Sequence, residues 1–353
     1  MPSARRAALV LLAMVATGCT AVEGEPSPAP RTLSESLGTV DLDAASPAGV
    51  DVLDLAPAPD GGTLALLADT ADPRVGYLTT VGADGLGDVR RLDDVGTQVF
   101  PIADGTVLVA GPGRLTRIPP GQEPTLVEVD VAGDPAALSP DGRRLYVAAD
   151  RRLVAVDAGT GEVVATADLG EGLTVAALAV GPDGGPTALL GDARAADLAD
   201  VAVLGTWDAD LQQQGTLVEL APDEPASIPS ALEVTDDGTA VATLTTGGDE
   251  PFRVVTVADG EVTASHAVPG TDRTPADLAV SPDARVAYLP VVGFEVESGV
   301  VTLDLAAGGQ LADVQLCEGQ GAFGQVELAG ETLTVVGSCI TGDAPSTTAF
   351  LVG

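Results

Sequence analysis

Residues 139–170, SPDGRRLYVAADRRLVAVDAGTGEVVATADLG, constrain the fold more than any other part of the chain. They read as a turn, a strand, a turn, a strand, a tight turn and a third strand. Weaker copies recur at roughly 37 to 54 residues, and a period near 40 with several strands per unit is the mark of a β-propeller. The turn that opens the second strand of each unit is the anchor. It recurs as Pro59-Asp60-Gly61, Ala103-Asp104-Gly105, Pro140-Asp141-Gly142, Pro182-Asp183-Gly184, Asp236-Asp237-Gly238 and Pro282-Asp283-Ala284, with a degenerate Ala329-Gly330-Glu331. Asp-Gly suits a tight turn because Gly accepts positive φ and Asp bonds the neighbouring backbone.

Short Val- and Leu-rich runs flank these turns, for example 52–56 and 64–67, 136–138 and 145–148, 231–234 and 240–244. They are too short for helices and are expected to be strands. Third strands are expected at 153–156, 217–220, 253–257 and 300–305, and fourth strands at 163–169, 262–268 and 310–316. The first strand of each unit is rich in small residues, as expected of a strand facing a crowded central channel. Blades packed face to face bury both surfaces, which explains runs that alternate only weakly. The anchors predict an all-β, seven-bladed propeller. The last unit shows three strands, 324–328, 332–338 and 347–352, and an unassigned strand lies at 38–42. This early strand is expected to complete the last blade, because closure removes an exposed edge.

Residues 1–18 read as an export leader: Arg5-Arg6, an apolar run 7–15, and Ala16-Thr17-Gly18 before Cys19. The apolar run is shorter than a membrane span of about 20 residues. The segment resembles a bacterial lipobox, with Ala16 where that family more often has Leu. The resemblance implies lipidation of Cys19 and a chain held on the outer side of a bacterial membrane. Residues 19–35, rich in Pro, Glu and Ser, then read as a tether, and 36–353 as the propeller. Two further cysteines, Cys317 and Cys339, are an even remainder outside the cytoplasm, and a disulfide between them is expected.

Composition excludes some partners. The net charge is −36, every basic residue is Arg or the single His, and no Lys or Asn occurs. Such a field repels nucleic acid. Chemistry-bearing motifs are scarce. His266 stands alone, there is no nucleophile elbow, and no Cys/His cluster suggests zinc. Glu295 and Glu297 fall in a lengthened stretch, 291–299, read as a solvated loop. Asp84, Asp88, Asp208 and Asp210 lie in expected loops and could supply oxygen to calcium, but none fits a calcium-loop pattern. No cofactor is expected, with calcium only a weak alternative. The irregular stretch 184–215 holds Trp207, the one tryptophan, beside Asp208 and Asp210, and is read as a partner-binding loop.

The unit 139–170 is similar to the YVTN-type propeller repeat. The matching residues are Ser139-Pro140-Asp141-Gly142, Leu145-Tyr146-Val147 and Asp157-Ala158-Gly159-Thr160-Gly161, with a partial copy at Ser281-Pro282-Asp283 and Ala287-Tyr288-Leu289. The resemblance implies the fold and carries no catalytic residue. Related propellers include lactonases, quinone-dependent dehydrogenases and plain binding scaffolds, so fold alone leaves function open. The leading expectation is a monomeric, lipid-anchored scaffold that binds an envelope protein or glycan. The alternatives are a lactonase- or lyase-like enzyme using carboxylates and Arg at the channel mouth, and a small-solute-binding or sensor lipoprotein. Gln98, Asp134, Ser230, Asp277 and Gln320 are expected to line that mouth.

Overall fold

Strand-forming runs separated by Asp-Gly turns fold into seven antiparallel sheets, six of them each made from one sequence repeat. The computed structural model describes residues 32–353 apart from 60, 193–200, 225, 248–249, 271–272, 294–297 and 341–345. The chain divides into Met1–Pro30 and Arg31–Gly353, and the propeller belongs wholly to the second unit. Its blades are numbered here in chain order. The innermost strands are Val50–Pro57, Gln98–Pro101, Ala136–Leu138, Leu173–Val180, Ser227–Val234, the pair Arg273–Pro275 and Ala279–Val280, and Gly321–Ala329. Each pairs antiparallel with the second strand of its own blade.

The early strand closes the ring. Ser36–Asp41 pairs antiparallel with Thr348–Val352, so blade 7 runs outward from Gly321–Ala329 through Thr332–Cys339 and Thr348–Val352 to the N-terminal strand. The Ser34 and Glu35 amides both donate to the carbonyl of Gly353. Cys317, just past the outer strand Gln310–Gln315 of blade 6, is disulfide-bonded to Cys339 on the second strand of blade 7. That bond staples the two blades beside the closure.

The core lies between blades. Each of the seven seams holds its own apolar cluster. Between blades 3 and 4 sit Tyr146, Leu153, Leu178, Leu190 and Trp207; between blades 6 and 7, Tyr288, Val300, Phe323 and Phe350. Because a second strand packs on both neighbouring blades, Thr63–Asp69 is buried along its whole length. With aromatic residues only 3% of the chain, Val, Leu and Ala fill these seams. Phe323 and Phe350 are an exception, meeting edge to face with ring centres 5.4 Å apart.

Blade 4 differs from the expected strand order. Ala202–Trp207 is its third strand, which makes Gln213–Glu219, containing the run expected to be third, its fourth. The stretch 184–215 is therefore built largely of two blade strands, Pro186–Asp192 and Ala202–Trp207.

Candidate functional site: the central channel

Along the inner strands, the residue six positions before the turn aspartate reaches toward the next blade. Asp54 of blade 1 accepts the Val99 amide of blade 2 through Oδ2 at 2.7 Å. Gln98 of blade 2 both donates to the Ala136 carbonyl of blade 3 and accepts its amide. Asp277 of blade 6 accepts the Val326 amide of blade 7 at 3.0 Å. Gln325, the matching residue of blade 7, donates from Nε2 to the Leu53 carbonyl of blade 1 at 2.8 Å, while its buried Oε1 has no partner among the described residues. These four bridges knit blades 6, 7, 1, 2 and 3. The same position holds Pro135, Ala177 and Ala231 in blades 3, 4 and 5, which have no group to make such a bridge.

Inside this collar is a cavity of about 550 Å³. Its walls carry Asp54, Gln98, Ser230, Glu233 and Asp277 among small apolar residues such as Ala177, and no Arg among the described residues. Glu327 lies two residues after Gln325 on the inner strand of blade 7. All four carboxyl groups are only half-buried by exposed area, yet protein surrounds them on nearly every side. A narrow water column solvates a charge less well than bulk water, so burial governs their protonation.

Burial raises Asp54 to about 7, opposed by the Val99 and Leu55 amides and reinforced by Asp277 and Asp134. Burial, with repulsion from Asp277, raises Glu233 to about 8. Asp277 rises to about 6 through burial, moderated by the Val326 and Leu278 amides. Glu327 is also pushed well up by burial, and then by the charges of Glu233, Asp277 and Asp54. The four groups form an arc through blades 5, 6, 7 and 1. Asp54 and Asp277 hold backbone amides and Glu327 is moderated by the Leu328 amide, whereas no hydrogen bond to the Glu233 carboxyl is found among the described residues. Among those residues, no group of three His, Cys, Asp or Glu converges to hold a metal ion. Chemically, the arc can attract cations, or hold and release protons near neutrality.

The residues expected at the channel mouth divide. Gln98, Ser230 and Asp277 line the cavity. Ser230 turns its hydroxyl back to that of Thr243 at 2.8 Å. Asp134 is exposed near the start of the inner strand of blade 3, and its charge reaches Asp54. Gln320 is exposed beside the disulfide, where its carbonyl accepts the Ile340 amide. Asp54, Glu233, Glu327 and Gln325 are functional candidates that sequence reasoning missed. The fixed offset from the turn aspartate, shared by Asp54, Gln98 and Asp277, was the signal that could have found the first of them.

Trp207 is only 4% exposed and packs in the seam of blades 3 and 4. The expectation that it anchors a partner is corrected, because an indole in the core presents no contact surface. Its neighbours serve the local turn. Asp208 accepts the Asp210 and Gln212 amides, and Asp210 pairs with Arg144 of blade 3 at 2.9 Å. His266 lies on the outer strand of blade 5, away from the inner strands, with Nε2 2.9 Å from the Leu305 carbonyl. Cys19, Glu295 and Glu297 lie outside the described residues.

No protein-family model and no curated protein matches this chain. The likeness to the YVTN-type repeat therefore rests on the motifs quoted above, and the fold on the seven sheets.

Proposed function

We propose that this chain is a lipid-anchored, extracytoplasmic binding propeller whose ligand is a small solute taken into the central channel. One observation carries the reading: a cavity of about 550 Å³ on the propeller axis, walled by carboxyl groups raised by burial. Enclosed polar groups converging on a central cavity are the usual form of a small-molecule site. The buried Trp207 counts against a scaffold that docks through that side chain. The lipobox-like residues ending at Cys19 support attachment to the outer face of a bacterial membrane, and the strongly acidic chain argues against nucleic-acid partners.

The raised carboxyl groups also favour a second reading, general acid–base catalysis, because a Glu at about 8 holds a proton to donate near neutral pH. A lactonase- or lyase-like mechanism would further need a cation to stabilise developing negative charge, and among the described residues no Arg lines the cavity.

The test is a thermal-shift screen of the full chain in detergent against cationic, neutral and anionic solutes, with Ser230→Trp to fill the channel. A hit abolished by Ser230→Trp supports the channel reading. Hits that persist in the filled variant, or none at all, overturn it. Turnover of a hit would move the assignment to the enzyme reading. Separately, Cys19→Ala should release the protein from the membrane fraction, and unchanged membrane attachment would remove the lipid anchor from the proposal.

A further inference from the structure

Two residues after the bridging position, the seven inner strands carry Ala56, Phe100, Ala137, Ala179, Glu233, Ala279 and Glu327. The repeat thus places a small or apolar side chain here in five blades and a glutamate in two. A carboxyl group enclosed by protein is unfavourable, and only the Leu328 amide beside Glu327 offsets this; nothing in the fold requires either glutamate, since Ala serves the same position elsewhere. The two exceptions flank blade 6, and its Asp277 lies between them in the ring. Glu233 lines the central cavity, and the field of Asp277 acts on it. Glu327 feels Glu233, Asp277 and Asp54 together.

The charge in this arc is distributed. No three acidic, His or Cys side chains among the described residues converge as a metal ion requires. The carboxyl groups follow one another from blade 5 to blade 1, and among the described residues no Arg lines the cavity to neutralise them. A ligand complementary to this pattern carries positive charge at separated points and has an apolar body to lie against Ala177 and Ala231.

We propose that the channel binds an organic dication, a diamine of short aliphatic chain, with Glu233 and Glu327 as its carboxylate partners. The inference rests on the channel being the ligand site. Binding displaces protons from these carboxyl groups. Each faces further acids rather than cations: Asp277 beside Glu233; Glu233, Asp277 and Asp54 beside Glu327; and Asp134 and Asp277 beside Asp54. Affinity therefore rises with pH while the amines remain charged.

The experiment is isothermal titration calorimetry of the full chain in detergent with 1,4-diaminobutane, butylamine, 1,4-butanediol and calcium chloride. At pH 7.5 the diamine is expected to bind one per chain, butylamine roughly tenfold more weakly, and the diol not at all. Glu233→Gln and Glu327→Gln should each weaken the diamine by roughly tenfold, while Glu261→Gln on the outer strand of blade 5 leaves it unchanged. Affinity at pH 6 should fall below that at pH 8.5. The inference is overturned if calcium or the diol binds as tightly as the diamine, if the Glu233→Gln/Glu327→Gln double variant keeps the wild-type Kd, or if the diamine gives no heat. The glutamine variants keep side-chain size and remove an unfavourable charge, so misfolding does not cloud the result. If a neutral or anionic solute binds and Ser230→Trp abolishes it while the diamine is silent, the channel reading stands and only the dication falls. If Ser230→Trp alters the binding of no solute, both fall.

Discussion

Asp141 sits at a hairpin turn and Glu233 on the channel wall, and the two acids meet opposite surroundings. Asp141 accepts the Ser139 hydroxyl at 2.7 Å and the Arg143 amide at 3.1 Å. Asp237 repeats the pattern with the Thr235 hydroxyl and the Thr239 amide. These bonds hold both acids below the ordinary carboxylate range, the hydroxyl bond first in each. On the axis, Glu233 has no such donor among the described residues and Glu327 has only the Leu328 amide, and burial pushes both up. A turn aspartate makes its own environment from residues two positions away. A channel carboxyl receives its environment only when the ring assembles.

This contrast can be broken or sharpened by measurement. The largest effect belongs to the ring as a whole: Cys317→Ser/Cys339→Ser should lose about 3 kcal/mol in urea unfolding, because a disulfide restricts the unfolded chain. A loss below about 1 kcal/mol would mean that closure by strand pairing already holds blades 6 and 7 together. Next comes Asp277→Ala, which strands the Val326 amide and should destabilise by about 2 kcal/mol at pH 5.5. Asp277→Asn keeps an acceptor for that amide and should recover most of the loss. Equal losses for the two variants would show that the bridge contributes little. Asp141→Ala should lose less than about 1 kcal/mol, since water reaches the donors it leaves behind.

The smallest and most telling effect is on pH dependence. Asp54, Glu233 and Asp277 have folded values raised to about 7, 8 and 6, so the folded protein binds more protons than the unfolded chain between about pH 4 and 8. Their contribution is complete below the unfolded values and is lost as pH rises through the folded ones. Turn aspartates act in the reverse sense: lowered in the fold, they stabilise above the unfolded value, and that contribution disappears on acidification. Stability should therefore peak in mildly acidic solution. Glu233→Gln should flatten the alkaline decline, raising the melting temperature by a few degrees at pH 8.5 relative to wild type while matching it at pH 5.5. An unchanged decline would show that channel water solvates Glu233 fully.

The same contrast explains what could be read from the chain. Asp-Gly turns, short Val-rich strands and the spare strand near the start all depend on neighbours in sequence. They sufficed for seven blades and for closure by Ser36–Asp41. The pairing of Cys317 with Cys339 followed from an even count. Gln98 and Asp277 were recognisable as channel residues by their place before the turns, but the bridges they make reach partners 38 and 49 residues away. Glu233 and Glu327 looked like ordinary acids in an acidic chain, because their isolation is a property of the assembled axis. Trp207 misled for the complementary reason: its seam is formed by blade 3, beyond the reach of a local pattern.

The pairing of Ser36–Asp41 with Thr348–Val352 also imposes an order in time. The closing strand is the first strand of the propeller to leave the ribosome or cross a membrane, and its partner is the last. Until residues 348–352 arrive, Ser36–Asp41 has no strand to pair with and the ring stays open. A chain cut short by even its last strand leaves the closing strand without a partner and blade 7 incomplete. Pairing of these two strands and closure of the ring around the channel are thus a single event.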